Sequence, residues 1–428
     1  MFITIPLSIF VVLIALSLTI FALATLRYQL YAWQSPGNFD AVYFDKSQVS
    51  PRYSFSLIVP VREEPENVLQ ATIDALLAQD HPDFEIIISV GGDDLSTKEI
   101  AYRIARQSYL VTVSECIDYR QPNNKPKQLN VALAACTKDI VGVFDAESIA
   151  APGILSGIDR CFQRYHSDAV QGAVQLVNFK DSWYALQNCL EYRQWFRSRL
   201  HGHAAAGFIP LGGNTVFIKR EILEDMGGWD SNCLAEDCDL GVRLSVRGKK
   251  ITVAYDPSLI TREETPDSIR ALIRQRTRWA LGFMQVVRKR DWTQLPTRAA
   301  RFKAWFILTQ QHWMAITGAC LPLAIVVAVT TRLPFLVVFT SFLPSFPLIL
   351  MVITNCVVLA EFGKDFGYKI RFRDYVRLII SVPLYQVILA IAAVSAWNKL
   401  RKGDLRWAKT SHAGAHLSGQ YKEKEIVA

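Results

Sequence analysis

The feature that most constrains this fold is that long apolar stretches occupy both ends of the chain. The first 26 residues carry no charged side chain, and Arg27 follows them. This stretch is longer than the apolar core of a signal peptide, which is roughly 7–15 residues, although Ala22-Leu23-Ala24 resembles a cleavage site. We therefore predict a retained membrane anchor over residues 1–27, with the first positive charge on the cytosolic side.

A second apolar region covers residues 304–397. Residues 305–329 and 333–359 can each cross a bilayer, since a span needs about 20 apolar residues. The third stretch, residues 378–397, precedes a basic tail over residues 398–428. If that stretch crossed as well, the tail would leave the cytosol, against the positive-inside tendency. We therefore favour an interfacial or re-entrant segment there, with a further span as the alternative.

The middle of the chain, residues 53–290, has the pattern of an α/β domain. Short apolar strands alternate with helical patterns, and the strands are predicted at residues 55–60, 84–90, 110–113 and 140–144. This alternation predicts a mostly parallel sheet covered by helices, with ligands at the carboxyl ends of its strands. The net charge of +8 is explained by basic residues beside the membrane segments, so no nucleic-acid partner is predicted.

Two acidic clusters are candidates for chemistry. Asp145 and Glu147 directly follow a predicted strand, so both carboxylates can bind one Mg²⁺ or Mn²⁺ ion, although a solvated turn explains the pattern equally well. Glu236 and Asp237 lie further along the chain and offer a general base for an acceptor hydroxyl. The alternative for this pair is an acidic helix N-terminus, which the helix dipole favours.

A basic and aromatic cluster falls in a later helical pattern. Gln275, Arg278 and Trp279 share one face of the predicted helix. Arginine suits phosphate oxygens and tryptophan can stack on a sugar ring, although a basic amphipathic helix at a bilayer surface explains the same residues. Lys125, which precedes another predicted helix, can neutralise phosphate charge.

In this order, the motifs resemble those of the processive family 2 glycosyltransferases, which include cellulose, chitin and hyaluronan synthases. The resemblance covers roughly residues 55–279, and its most specific part is the intact Gln-x-x-Arg-Trp motif. It implies a GT-A type, Rossmann-like domain for a nucleotide sugar, with one N-terminal transmembrane helix and two to three C-terminal ones. The donor-binding residues that it implies are Pro60, Arg62, Glu64, Asp93, Asp94, Lys125, Asp145, Gln275 and Arg278.

The resemblance also assigns the remaining roles. It implies that Asp237 is the catalytic base beside Glu236, and that Asp145 and Glu147 bind Mg²⁺ or Mn²⁺. The acceptor contacts that it implies are Trp279, Gly213 and Asn214, and a segment that gates the donor site corresponds to Trp407, Lys409 and Thr410. Glu147 replaces the usual second aspartate, and residues 210–214 lack the aromatic-cysteine signature of some synthases, which leaves the acceptor open.

These assignments imply an inverting, metal-dependent hexosyltransferase of the cell membrane with its catalytic domain in the cytosol. The donor would be a UDP-sugar and the product a β-linked polysaccharide that crosses the membrane as it grows. The first alternative is a non-processive transfer to a lipid or a short acceptor. The second is a non-catalytic membrane transporter or scaffold, which the full set of carboxylates disfavours.

Overall fold

A computed structural model describes residues 4–34, 50–117 and 123–405. The predicted gating residues Trp407, Lys409 and Thr410 lie outside this described part. The helices are α1 Thr4–Gln34, α2 Glu66–Leu77, α3 Leu95–Ala105, α4 Lys125–Leu133, α5 Ile154–Tyr165, α6 Trp183–Gln194, α7 Leu200–Ala205, α8 Arg220–Asp225, α9 Glu236–Val246, α10 Ile269–Lys289, α11 Arg298–Thr330, α12 Phe335–Ser341, α13 Ser345–Phe366 and α14 Phe372–Lys402. The strands are β1 Phe55–Val61, β2 Phe84–Gly91, β3 Val111–Cys116, β4 Ile140–Val143, β5 Ile149–Ala150, β6 Ala169–Gln171, β7 Val174–Leu176, β8 Val216–Lys219, β9 Ile251–Val253 and β10 Thr261–Glu263.

A seven-stranded mixed sheet forms the centre of the fold, in the order β3-β2-β1-β4-β8-β6-β9. The first four strands run parallel to one another, as predicted, whereas β8 is antiparallel to both β4 and β6. Phe55 of β1 is in register with Phe84 on one side and Ile140 on the other. Because neighbouring parallel strands end at one edge, the segments that follow β1, β2 and β4 emerge side by side.

Apolar side chains cover both faces of this sheet. Along β1, Leu57 and Val59 pack on one side, whereas Ile58 packs on the other. This alternation follows from the two-residue period of a strand, and both faces are buried because helices cover them. A smaller sheet has the order β5-β10-β7, and its strands follow the loop that carries Asp145 and Glu147 (the metal-motif loop) and precede α10 in the chain. The predicted α/β architecture is confirmed.

Four described helical segments are long and apolar enough to cross a membrane. They are Ile5–Gln34, Arg298–Thr330, Phe335–Phe366 and Phe372–Lys402. The first three match the predicted anchor and the two predicted C-terminal spans. The third combines α12 with α13, which follow each other closely.

The last apolar stretch lies within α14, a continuous helix of 31 residues. A re-entrant segment reverses direction inside the bilayer, so that form of the prediction is wrong. One face of α14 packs along α10 of the α/β domain. Tyr385 belongs to one buried cluster with Leu272, and Ala396 belongs to another with Ala280. The length and composition of α14 are sufficient for a span, and its lengthwise packing on α10 suits an interfacial helix, so both positions stay predictions.

Candidate active site

The first cluster of predicted site residues lies where β1 and β2 end. Arg62 donates hydrogen bonds to Asp93 at 3.2 Å and to the backbone oxygen of Asn123 at 2.9 Å. The amide of Asn123 donates to the other oxygen of Asp93 at 2.7 Å. The Asn123 hydrogen bond and the Arg62 charge hold the pKa of Asp93 below its usual range, because both stabilise the carboxylate.

Asp94 has a different environment from its neighbour Asp93. Its carboxylate accepts hydrogen bonds from the backbone N–H of Thr97 at 3.1 Å and from that of Glu63 at 2.6 Å. The first of these contacts caps α3, and the second holds the loop after β1, where Glu63 has a φ of 51°. Asp94 therefore stabilises the loop that follows β1, and its predicted contact with the sugar donor stays a prediction.

A largely buried lysine, whose side chain is 14% exposed, connects the two acidic clusters. The ammonium of Lys125 pairs with Asp145 and donates to the backbone oxygen of Gly213 at 2.8 Å. Burial alone would lower the pKa of Lys125, but Asp145, Glu236 and Asp237 more than offset that effect and raise it. Lys125 is therefore a fixed positive charge that three carboxylates share, and its predicted contact with a donor phosphate stays a prediction.

The predicted catalytic acids begin α9. Burial raises the pKa of Glu236 to about 7, and the charge of Asp237 adds to this effect, while Lys125 and Arg278 oppose it. Burial also raises the pKa of Asp237, against the hydrogen bond that its carboxylate accepts from the backbone N–H of Cys238 at 2.7 Å. A carboxylate whose pKa is raised is a better proton acceptor, which suits a general base.

Position 213 favours glycine because the side chains of Asp237 and Lys125 both lie close to where a Cβ would be. A Cβ at position 213 would lie 3.0 Å from Oδ2 of Asp237 and 3.2 Å from Nζ of Lys125, both tighter than ordinary contacts. The neighbouring Gly212 has ordinary room, because its Cβ would lie 3.5 Å from the nearest atom, Oε1 of Gln171.

We expect Gly213→Ala to lower kcat/KM for the predicted sugar transfer about 10-fold, because it displaces Asp237 and Lys125 by a few tenths of an ångström. Gly212→Ala is the matched control and should behave like the wild type. Both variants should unfold at nearly the wild-type temperature, as measured by thermal denaturation in detergent. Equal activity of the two variants would contradict the proposed crowding at position 213.

A buried frame holds the metal-motif loop in place. The side-chain amide of Asn214 donates to Ser148 Oγ at 2.7 Å and also to Glu263, and Ser148 donates to Glu263 at 2.8 Å. Burial raises the pKa of Glu263 to about 8, and the charges of Asp145 and Glu147 add to this effect. Asn214 therefore serves as part of the frame, and its predicted acceptor contact stays a prediction. Glu263 was missed from the sequence, where the only signal was an acidic pair shortly before α10.

The Gln-x-x-Arg-Trp motif lies on α10 as predicted. Gln275, Arg278 and Trp279 all face the same cavity. Arg276, at a variable position of the motif, was missed. It pairs with Glu191 of α6 at 2.8 Å, and its guanidinium lies 4.5 Å from the centre of the Trp279 ring. This contact fixes the ring that is predicted to stack on a sugar.

One cavity of about 1220 Å³ brings the predicted site together. Asp93 and Asp94 lie outside its lining, although Arg62 connects Asp93 to it. The predicted residues that line the cavity are Pro60, Arg62, Glu64, Lys125, Asp145, Glu147, Gly213, Asn214, Glu236, Asp237, Gln275, Arg278 and Trp279. The cavity continues beyond these residues between α1, α11, α13 and α14.

Two carboxylates at the cavity, Asp145 and Glu147, are the candidate ligands for a divalent cation. Among the described residues, no three His, Cys, Asp or Glu side chains surround a common point. Asp145 and Glu147 both line the cavity, and Asp145 is held by the ammonium of Lys125. Mg²⁺ commonly takes one or two carboxylates and completes its coordination with substrate phosphates and water. The two carboxylates fit such a shared site.

The chain is similar to known proteins in both sequence and structure. Residues 51–282, more than half of the chain, match the family described as glycosyltransferase like family 2. The solved structure of the mannosyltransferase PcManGT from Pyrobaculum calidifontis in complex with GDP-Man and Mn²⁺ has a TM-score of 0.56 and 20% identity, covering 91% of this chain and 99% of that chain. This likeness concerns the fold, and with the family match it confirms the predicted GT-A-like α/β architecture.

Two curated relatives have different acceptors in their names. A beta-monoglucosyldiacylglycerol synthase from Trichormus variabilis is 28% identical over 309 residues, covering 68% of this chain and 62% of the relative. A poly-beta-1,6-N-acetyl-D-glucosamine synthase from Staphylococcus aureus is 24% identical over 252 residues, covering 57% of this chain and 58% of the relative. The chain therefore spans less than two thirds of the length of either relative.

Proposed function

Because the chain belongs to glycosyltransferase like family 2, as its motifs predicted, we propose that it transfers a single sugar from a nucleoside diphosphate sugar to a membrane lipid. Membership of a glycosyltransferase family speaks against the second alternative from the sequence, a non-catalytic transporter or scaffold. We retain UDP as the donor nucleotide and a hexose as the sugar. The predicted domain limits, residues 1–27, 53–290, 304–397 and 398–428, and the cytosolic position of the catalytic domain in the cell membrane belong to this proposal.

The observation that carries the lipid acceptor is the wall of the cavity between the helices. The apolar side chains of this wall are Leu18, Phe21, Ala22, Met314, Ala315, Ala319, Leu321, Leu348, Met351, Val387, Leu389, Ala390, Ile391 and Val394. Sugar hydroxyls that enter such a wall would lose their hydrogen bonds to water without replacement, whereas lipid chains lose nothing. The wall therefore favours an acceptor with hydrocarbon chains.

Processive synthesis of a β-linked polysaccharide, coupled to its translocation, is the second candidate. The observation that favours it is that Gln310, Gln311 and Gln386 also line the cavity. These side chains can bind sugar hydroxyls, and the Gln-x-x-Arg-Trp motif at the cavity is shared with the polymerising synthases that the sequence resembles.

The chemistry proposed for either acceptor is a single displacement. Asp237 accepts the proton of the acceptor hydroxyl, the acceptor oxygen bonds to C1 of the sugar, and the bond from C1 to the diphosphate breaks. The attack comes from the face opposite the diphosphate, so the anomeric configuration inverts. Lys125 and Arg278 stabilise the departing negative charge. A divalent cation held by Asp145 and Glu147 would supply further charge neutralisation at the diphosphate.

The experiment that tests this function uses the purified full-length protein in lipid nanodiscs. UDP-sugars and GDP-mannose are screened with Mg²⁺ or Mn²⁺, and both the release of nucleoside diphosphate and the size of the product are measured. We expect one lipid-soluble product that carries one sugar. A ladder of lengthening products would favour the polysaccharide instead. Release of no nucleotide with any donor under either metal would count against transfer altogether.

A further inference from the structure

An arginine without a carboxylate partner lines the cavity. Arg199 ends a π-helical turn, Trp195–Arg199, between α6 and α7, and it belongs to the cavity lining. Its Nε atom is buried and has no hydrogen-bond partner in the described part of the chain. Ion pairs formed by the described residues include other buried arginines, such as Arg193 with Asp365 and Arg276 with Glu191, but none includes Arg199.

One carboxylate acts on Arg199 without an ion pair, that of Glu191, and it is already engaged by Arg276 at 2.8 Å and by the hydroxyl of Tyr385 at 2.7 Å. The rings of Tyr28 and Trp195 lie 4.6 Å and 6.0 Å from the ring of His203, and all three residues line the same cavity. Burial, together with the charges of Arg199 and Lys303, lowers the pKa of His203 to about 3, so that this imidazole is neutral at physiological pH. The guanidinium of Arg199 therefore has no ion-pair partner of its own among the described residues, and burial lowers its pKa although the charge of Glu191 opposes this effect.

The residues near Arg199 include the charged ends of two apolar helical stretches. Arg27 is the first charged residue after the apolar stretch of α1, and Tyr28 follows it directly. Lys303, which acts on His203, immediately precedes the apolar region of α11 that begins at residue 304. Because both helices are candidate spans, their charged ends lie where the lipid headgroups would border the hydrocarbon layer, on the same side of the helices as Arg199.

We propose that Arg199 binds the phosphate of the acceptor lipid, whose chains occupy the part of the cavity between the membrane helices. The inference rests on the proposed lipid acceptor and adds that this lipid is anionic. A partly buried guanidinium whose Nε atom has no partner gains from a counter-charge, and its planar fork matches two phosphate oxygens. The class of acceptor is a phosphate-bearing lipid with a free hydroxyl, for which phosphatidylglycerol is the probe.

The transfer step with this probe is balanced. The terminal hydroxyl oxygen of the headgroup bonds to C1 of the sugar as the bond from C1 to the diphosphate breaks. The hydroxyl proton passes to the carboxylate of Asp237, and the nucleoside diphosphate leaves. The phosphate of the lipid stays intact and takes no part in bond formation, so Arg199 acts as a binding residue.

The test compares phosphatidylglycerol with dioleoylglycerol, which has the hydroxyl but no phosphate. Full-length wild type, Arg199→Gln and Arg199→Lys are compared, with Arg197→Gln as the matched control, since Arg197 lies on the same turn, pairs with Glu361 and does not line the cavity. Lipid binding is measured by native mass spectrometry without donor, and KM is measured in the transfer assay. Donor hydrolysis in lipid-free detergent and thermal unfolding check that each variant is folded and active.

We expect the wild type and Arg197→Gln to bind phosphatidylglycerol at least 10-fold more tightly than dioleoylglycerol. Arg199→Gln should raise the KM for phosphatidylglycerol at least 10-fold without changing donor hydrolysis, and Arg199→Lys should restore part of the loss. Equal use of both lipids, unaffected by Arg199→Gln, would overturn the phosphate site but leave a lipid acceptor in place. A polymer ladder with no sugar on either lipid would overturn the proposed function as well.

Discussion

Replacement of Asp237 by asparagine is expected to lower the turnover number for sugar transfer by about 10³-fold, the scale of a general base. The amide has the volume of the carboxylate and can still accept the hydrogen bond from the backbone N–H of Cys238. It cannot accept the proton of the acceptor hydroxyl. Donor affinity should change little, because Lys125, which lies beside Asp237, keeps its other contacts with Asp145 and Gly213.

The same experiment decides between catalysis and a purely structural role for Asp237. An acidic side chain in the first turn of α9 stabilises the helix dipole by about 0.3–1 kcal/mol. Loss of this helix-dipole stabilisation alone would lower the unfolding temperature slightly and leave the turnover number unchanged. Asp225→Asn, at an exposed carboxylate on α8, is the control for the loss of a charge. Turnover and transition temperature are measured for both variants, and an active Asp237→Asn enzyme would refute the catalytic assignment.

Much of the site was predictable because two independent patterns converge. Apolar runs that end in proline, glycine or aspartate predicted β1, β2 and β4, and parallel strands deliver the residues after their ends to one edge. The motif spacing predicted the same residues by resemblance. In the structure, Arg62, Lys125 and Asp145 line one cavity with Asp237, although they are far apart in sequence.

Other features have no local signal in the sequence. The strands β6, β7, β9 and β10 have three residues each, too few for a period to appear. Glu263 belongs to β10, and its buried position depends on Ser148 and Asn214 from distant segments. Arg199 lies in a helical stretch like several other arginines. That no ion pair of the described residues includes it appears only in the folded structure, where α1 packs against the turn Trp195–Arg199.

Replacement of Lys125 by methionine is expected to lower the free energy of unfolding by about 3 kcal/mol at neutral pH, the scale for removing one partner from a buried set of charges. Methionine fills most of the space but leaves Asp145, Glu236 and Asp237 without their shared counter-charge. Their mutual repulsion then favours protonation of Glu236, whose pKa, already raised by burial to about 7, rises further.

The pH dependence of this loss identifies its cause. A carboxyl group whose pKa is higher in the folded than in the unfolded protein stabilises the fold below its unfolded value, here 4.5, and that stabilisation disappears as the pH rises through the folded value. The deficit of Lys125→Met relative to the wild type should therefore be largest at pH 8.5 and shrink on acidification to about pH 7, below which Glu236 is protonated in both proteins. Denaturant unfolding at pH 5.5, 7 and 8.5 measures it, with Lys127→Met, on the same helix but outside the cavity lining, as the matched control. A deficit of equal size at all three pH values would mean that Lys125 stabilises the fold through packing of its alkyl chain, and the shared-charge account of the site would fail.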